Sequence, residues 1–137
     1  MSLPKAAALP THLLPMLSTS SKPFDDPGCV FDLKWDGIRG LASVEKSSWR
    51  LWGREAIDYT GRYPELEVLR RLPSGTMLDG ELVALRDGQA DFHLLMSRHS
   101  RRPRSVSFFT DAVQFVVFDL LYFRGQSLLD QPRNTAL

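Results

Sequence analysis

Residues 31–39 read FDLKWDGIR, and their alternation sets the architecture of everything that follows. Phe31, Leu33 and Trp35 alternate with Asp32, Lys34 and Asp36, the period of two of a half-buried strand that begins near Val30. The three apolar side chains share one face and the three charged ones the other. Asp36-Gly37 is a hairpin-type turn signal. It predicts a second strand over residues 38–44, a polar turn at 45–48 and a third strand, WRLWG, at 49–53. Neighbours joined this closely pair antiparallel. The lysine between two acids is then either the charged tip of an ordinary hairpin or a nucleophile.

Outward from this hairpin the chain stays rich in strands. Residues 64–72, PELEVLRRL, predict a helix: Pro64 suits the first turn, Glu65 and Glu67 the positive N-terminal end, and Arg70 and Arg71 the other end. Leu66, Leu69 and Leu72 would share its buried face. TMLDGELVAL (76–85) predicts a strand and RDGQ a turn. DFHLLMSRH (91–99) predicts a short helix with Asp91 near its start, and SRRPRSVS a loop. AVQFVVFDLLYF (112–123) is the most apolar run, expected to be central and covered on both faces. Helices inserted among antiparallel strands make the class α+β. Residues 1–28, with five prolines and a Ser/Thr cluster, predict an extension of loops with at most one helical turn near His12.

At 137 residues, 43% hydrophobic and 24% charged, the chain is long enough for one cored domain. A net charge of +1 means that any basic surface is local. Cys29 is the sole cysteine, which excludes an internal disulfide and suits a reducing compartment, here the cytoplasm. No apolar run has the length of a bilayer span, and the proline-broken N-terminus lacks the pattern of a secretory signal.

Three short motifs carry candidate chemistry. Lys34-x-Asp36-Gly37-x-Arg39 is the first. Asp79-Gly80-Glu81 lies inside a strand, and Phe118-Asp119 lies inside the most apolar one. A carboxylate in such a strand is costly unless paired or hydrogen-bonded. Taken singly, each motif also fits a solvated tip or a paired strand acid.

Together these motifs resemble the nucleotidyltransferase domain of ATP-dependent DNA ligases, in particular bacterial ligases of the end-joining type. The resemblance runs from Pro15 onward. PMLSTSSKPFDDPGCVFDLKWDGIRGLA is similar to the family's lead-in and lysine motif. WGREAIDYTGRYPEL is similar to the second motif, LDGELVAL to the third and VVFDLLYFRGQSLL to the aromatic motif after it. The resemblance implies an antiparallel-sheet, ATP-grasp-like adenylation domain whose front part occupies residues 29–137. The family's later motifs and its OB-fold domain are absent, so the domain is expected to be C-terminally incomplete, with an exposed sheet edge.

The resemblance also implies roles. Lys34 would attack the α-phosphate of ATP to form lysyl-AMP, which requires its pKa, ordinarily about 10.4, to be depressed. Arg39 and a Mg²⁺ ion would help depress it. Asp32 stands where the family contacts the adenine edge, usually with Glu. Arg39 and Glu81 would hold the ribose, with Glu81 also a candidate metal ligand, and Phe118 would stack on the adenine. Arg54 would touch the nucleotide or a DNA phosphate. The AMP would pass to a 5′-phosphate of nicked or broken double-stranded DNA, in repair or recombination with end-joining proteins as possible partners. Gly53, Glu55 and Ala56 replace the Ser, Asn and Gly usual in the second motif. Asn-Gly takes positive φ cheaply and Glu-Ala does not, so the Arg54 loop is expected to differ.

Arg98, Arg101, Arg102 and Arg104 beside His99 form a basic cluster, read either as a DNA-phosphate contact or as a solvated loop. The histidines have no zinc-site spacing. Two rival functions remain at this point. One is an mRNA-capping guanylyltransferase, which shares the lysine and Asp-Gly-Glu motifs. The other is a catalytically inactive remnant that binds nucleotide or DNA weakly.

Overall fold

The computed structural model describes residues 9–11, 13–17, 35–46, 48–100 and 112–130. Strands β1 (Ile38–Glu45) and β2 (Ser48–Trp52) form the expected antiparallel hairpin. β1 also pairs antiparallel with β3 (Thr76–Arg86), which pairs in turn with β5 (Val113–Phe123). The order across the sheet is β2-β1-β3-β5-β6, with β4 (Gln89–Ala90) against β3 and β6 (Gln126–Ser127) against the end of β5. The turn from β3 to β4 uses Asp87 and Gly88 at φ 52 and 78°, as the RDGQ signal predicts.

Alternation along the strands builds two apolar layers. Ala42, Val44, Leu51, Leu82 and Ala84 face the larger core, closed by Tyr63, Leu66 and Leu95 from the elements crossing that face. Leu41, Trp52 and Met77 point the other way and pack with Leu9. Leu9 and Leu13 therefore lie against the sheet. The Leu9 N–H donates to Glu45 Oε1 at 2.9 Å, and Trp52 Nε1–H to the Leu13 carbonyl at 2.7 Å. The buried indole of Trp52 thus finds its partner in a segment assigned by sequence to an extension.

The predicted helix at residues 64–72 is a 3-10 helix, Pro64–Arg71. Its leucines recur every three residues, which aligns them in a helix of three residues per turn and would drift across an α-helix. Leu66 is buried, and Leu69 and Leu72 pack on the same core. Helix α1 (Phe92–Ser100) begins where expected, with Asp91 Oδ1 accepting the Leu94 N–H at 3.0 Å.

Two expectations are corrected. The central strand is β3, with Met77, Leu82, Val83 and Ala84 fully buried, and not β5. β5 is mostly half-buried, with Val117 43% exposed, and among the described residues its outer side pairs only with the two-residue β6. Asp36-Gly37 is not a hairpin turn but a bend leading into β1. Residues 30–34 of the predicted first strand lie outside the described residues, as do Cys29, His12 and the loop at 101–107.

Candidate active site

The bend before β1 is pressed onto β3. A Cβ at Gly37 would lie 2.0 Å from the Leu82 carbonyl oxygen and 2.9 Å from Val83 Cγ1. Glycine is required here by close approach, not by a left-handed conformation. The segment carrying Trp35 is thereby held at Leu82, one residue beyond Glu81.

Register then assembles the polar face. Arg39 stands directly opposite Glu81, and Leu41 opposite Asp79. Asp79 stands opposite Asp119 on β5. Gly80 separates the two acids of β3 because a side chain there would meet the Val116 carbonyl at 2.4 Å and the Phe115 ring at 2.7 Å. Residues two apart share a face, so Asp79 and Glu81 both flank Arg39.

Arg39 is held as a fork. Its Nε and Nη2 donate to Asp79 Oδ1 and Oδ2, each at 2.6 Å. Its guanidinium carbon lies 4.8 Å from the centroid of the Phe118 ring, a cation–π contact. The hydrogen bond to Asp79, against the cost of burial, raises the Arg39 pKa further and keeps it charged. Glu81 differs from Asp79. Its carboxylate has no hydrogen-bond partner among the described residues, and burial raises its pKa. The arrangement combines a fixed cation, an aromatic ring and an open carboxylate, the groups needed for a phosphorylated, base-bearing ligand.

Arg54 is exposed on the loop after β2. That loop closes through Gly53 N–H to the Ile57 carbonyl, 3.0 Å, and Ala56 N–H to the Gly53 carbonyl, 3.1 Å. Ala56 adopts φ 59°, so this position takes the left-handed conformation without the usual glycine.

Arg98 is corrected as a DNA contact. It is 4% exposed on the inner face of α1, and its Nη2 lies 2.7 Å from both carboxylate oxygens of Glu65. His99 beside it is half-buried and hydrogen-bonded through Nδ1 to the Tyr63 hydroxyl. The signal was available: Arg98 falls three residues after the buried Leu95, on the same helical face. Asp79 was part of the Asp-Gly-Glu motif read from the sequence but was given no role there; its pairing with Arg39 assigns it one. Lys34, Asp32, Arg101, Arg102 and Arg104 lie outside the described residues. Lys34 is bonded directly to Trp35.

Among the described residues no group of three or more His, Cys, Asp or Glu is placed to cage a metal. The open carboxylate of Glu81 fits the other habit of Mg²⁺, one acidic ligand shared with substrate phosphates. No helix of the described residues is long and apolar enough to cross a membrane.

A profile of the ATP dependent DNA ligase domain matches residues 15–135. The chain belongs to the ATP-dependent DNA ligase domain family. Its relatives are named DNA ligases. The ligase-like protein LigB, derived from the SPbeta prophage of Bacillus subtilis, is 37% identical over 128 residues, covering 90% of this chain and 45% of that protein. A non-homologous end joining repair protein of Mycobacterium tuberculosis, LigD, is 34% identical over 102 residues, covering 73% of this chain and 12% of its own length. The solved ligase domain of M. tuberculosis LigD superposes with a TM-score of 0.61 at 33% identity, over 75% of this chain and 32% of that one. A mycobacterial DNA ligase D complexed with ATP and MES gives 0.62 at 31% identity, with the same coverage. This ligase-family chain thus spans less than half the length of these relatives.

Proposed function

We propose that this chain carries the nucleotide-activating end of a DNA ligase reaction. The neutral Lys34 Nζ attacks the α-phosphorus of ATP: a nitrogen–phosphorus bond forms, the bond from that phosphorus to the oxygen bridging to the β-phosphate breaks, pyrophosphate leaves, and the nitrogen releases a proton to solvent. The observation that supports this most is the fork of Arg39 on Asp79, over the Phe118 ring and opposite the open Glu81, at the start of the strand that follows Lys34. In this reading Phe118 carries the adenine. Arg39 and Glu81 meet the ribose and its phosphate, and Asp32 meets the base edge. Glu81 is the residue that would hold a Mg²⁺ ion, which would supply positive charge against the leaving pyrophosphate.

The fold in this reading is an adenylation domain of the nucleotidyltransferase, ATP-grasp-like type, of which residues 29–137 are the front part. The acceptor is nicked or broken double-stranded DNA: the AMP passes to a 5′-phosphate and a 3′-hydroxyl then displaces it. Arg54, exposed beside the sheet, and Arg101, Arg102 and Arg104 are the cations proposed for DNA. Similarity to LigD, named for non-homologous end joining, favours work beside end-joining proteins in the cytoplasm.

The test is intact mass after incubation with ATP and Mg²⁺, with Lys34→Ala as control. One added AMP on the wild type alone is expected. A folded wild-type chain without an adduct would sink the catalytic reading and leave one of nucleotide or DNA binding without catalysis.

A further inference from the structure

The two acids of the Asp-Gly-Glu strand share a face but have opposite surroundings. Asp79 is 5% exposed, and both of its oxygens are taken by Arg39. Glu81 is half-buried and accepts no hydrogen bond among the described residues. A carboxylate saturated by one guanidinium has little left for a ligand, whereas an open one does.

Arg39 is equally divided. Nε and one Nη2 hydrogen are spent on Asp79, and the Nη1 edge of the planar fork remains. A guanidinium held at two points cannot turn about its stem, so its free edge is fixed in direction before any ligand arrives. Phe118 lies against its flat face. From these contacts we infer that Asp79 is a positioning residue. It aims the free edge of Arg39 at the ribose or phosphate oxygens of a nucleotide stacked near Phe118. The inference rests on the nucleotide reading above.

A plain structural role is the alternative: Asp79 would then only keep Arg39 from being a buried unpaired charge. The two differ in how the residues couple in ligand affinity. The experiment is calorimetric titration of ATP with Mg²⁺ into the intact chain and into Arg39→Met, Asp79→Asn and the double variant. All are measured at a temperature where circular dichroism shows each to be folded. A positioning role predicts that each single variant binds roughly ten- to a hundredfold more weakly, the loss of one charge-assisted hydrogen bond. It predicts that the double variant is no weaker than Arg39→Met, because Asp79 acts through Arg39.

A folded Asp79→Asn that binds like the wild type overturns the inference and leaves the nucleotide reading standing. Losses that multiply in the double variant overturn it as well. A wild-type chain that binds no ATP overturns the reading and the inference together. Should Asp79→Asn fail to fold, the Arg39 Nε–H resonance of the wild type decides. A slowly exchanging signal that shifts on ATP addition supports the inference. A rapidly exchanging signal, or one that ATP does not move, overturns it.

Discussion

Arg98 and Glu65 meet inside the protein, 33 positions apart in sequence, with one guanidinium nitrogen 2.7 Å from each carboxylate oxygen. Glu65 Oε2 also accepts the Val113 N–H at 2.8 Å. One acid thus ties the 3-10 helix, the end of α1 and the start of β5 together.

Removing one partner leaves a charge buried alone. Arg98→Met is therefore expected to destabilise the fold by about 3–5 kcal/mol. Replacing both, Arg98→Met with Glu65→Gln, is expected to recover a large part of that loss, since the amide still accepts from Val113. Urea denaturation of the three proteins checks this. Arg98→Met is also expected to leave the salt dependence of DNA binding unchanged. A shallower slope in the folded variant would return Arg98 to the list of phosphate contacts.

Ala56 holds a left-handed conformation that an alanine side chain disfavours. Ala56→Gly relieves that strain but loosens the unfolded chain and exposes a little of the Trp52 layer. The net expectation is a gain of about 0.5–1 kcal/mol. Ala56→Val is expected to lose more than about 1 kcal/mol, because a β-branched residue fits this region worst. Thermal melts of both variants read the sign directly. A destabilised Ala56→Gly would mean that methyl packing outweighs the strain.

His99 gives the fold a pH dependence. Burial lowers its pKa, and Arg62 lowers it further. The Tyr63 hydroxyl, whose own pKa burial raises, stays protonated and shares a hydrogen bond with Nδ1 of the neutral ring. Below about pH 6.5 the unfolded chain takes up a proton that the folded chain resists. Stability is full above that pH and falls as pH drops toward the depressed value. Glu81 acts in the opposite sense at lower pH, since its raised pKa favours protonation in the fold. The measurement is therefore a difference: His99→Gln should flatten the stability slope just below pH 6.5. An identical slope in both proteins would show that His99 carries none of it.

The strands of this sheet were legible because each is written locally. Turn signals between apolar runs gave β1 and β2 within a residue or two, the run at 76–85 gave β3, and Asp87-Gly88 gave the turn after it. Lys34, Arg39, Glu81 and Phe118 stood in short motifs, and the resemblance to DNA ligases singled them out. The register adds that Arg39 and Glu81 are cross-strand neighbours, and the ring contact adds Phe118.

Other features depend on what lies across space. Gly37 looked like a turn residue, and only the Leu82 carbonyl at its back shows why it is glycine. The leucines of residues 64–72 favoured a helix, but their three-residue spacing against the core selected the 3-10 form. β5 read as central because it is apolar, yet the register that builds the sheet put β3 in the middle. Arg98 and Asp79 are the clearest cases. A charge on a helix or strand carries the same letter whether it meets water or a buried partner. The sequence by itself determined which segments form strands and which residue types can do the chemistry. The tertiary structure decided which charges are spent on each other and which stay open to a ligand, because desolvation and pairing depend on groups brought together from distant parts of the chain.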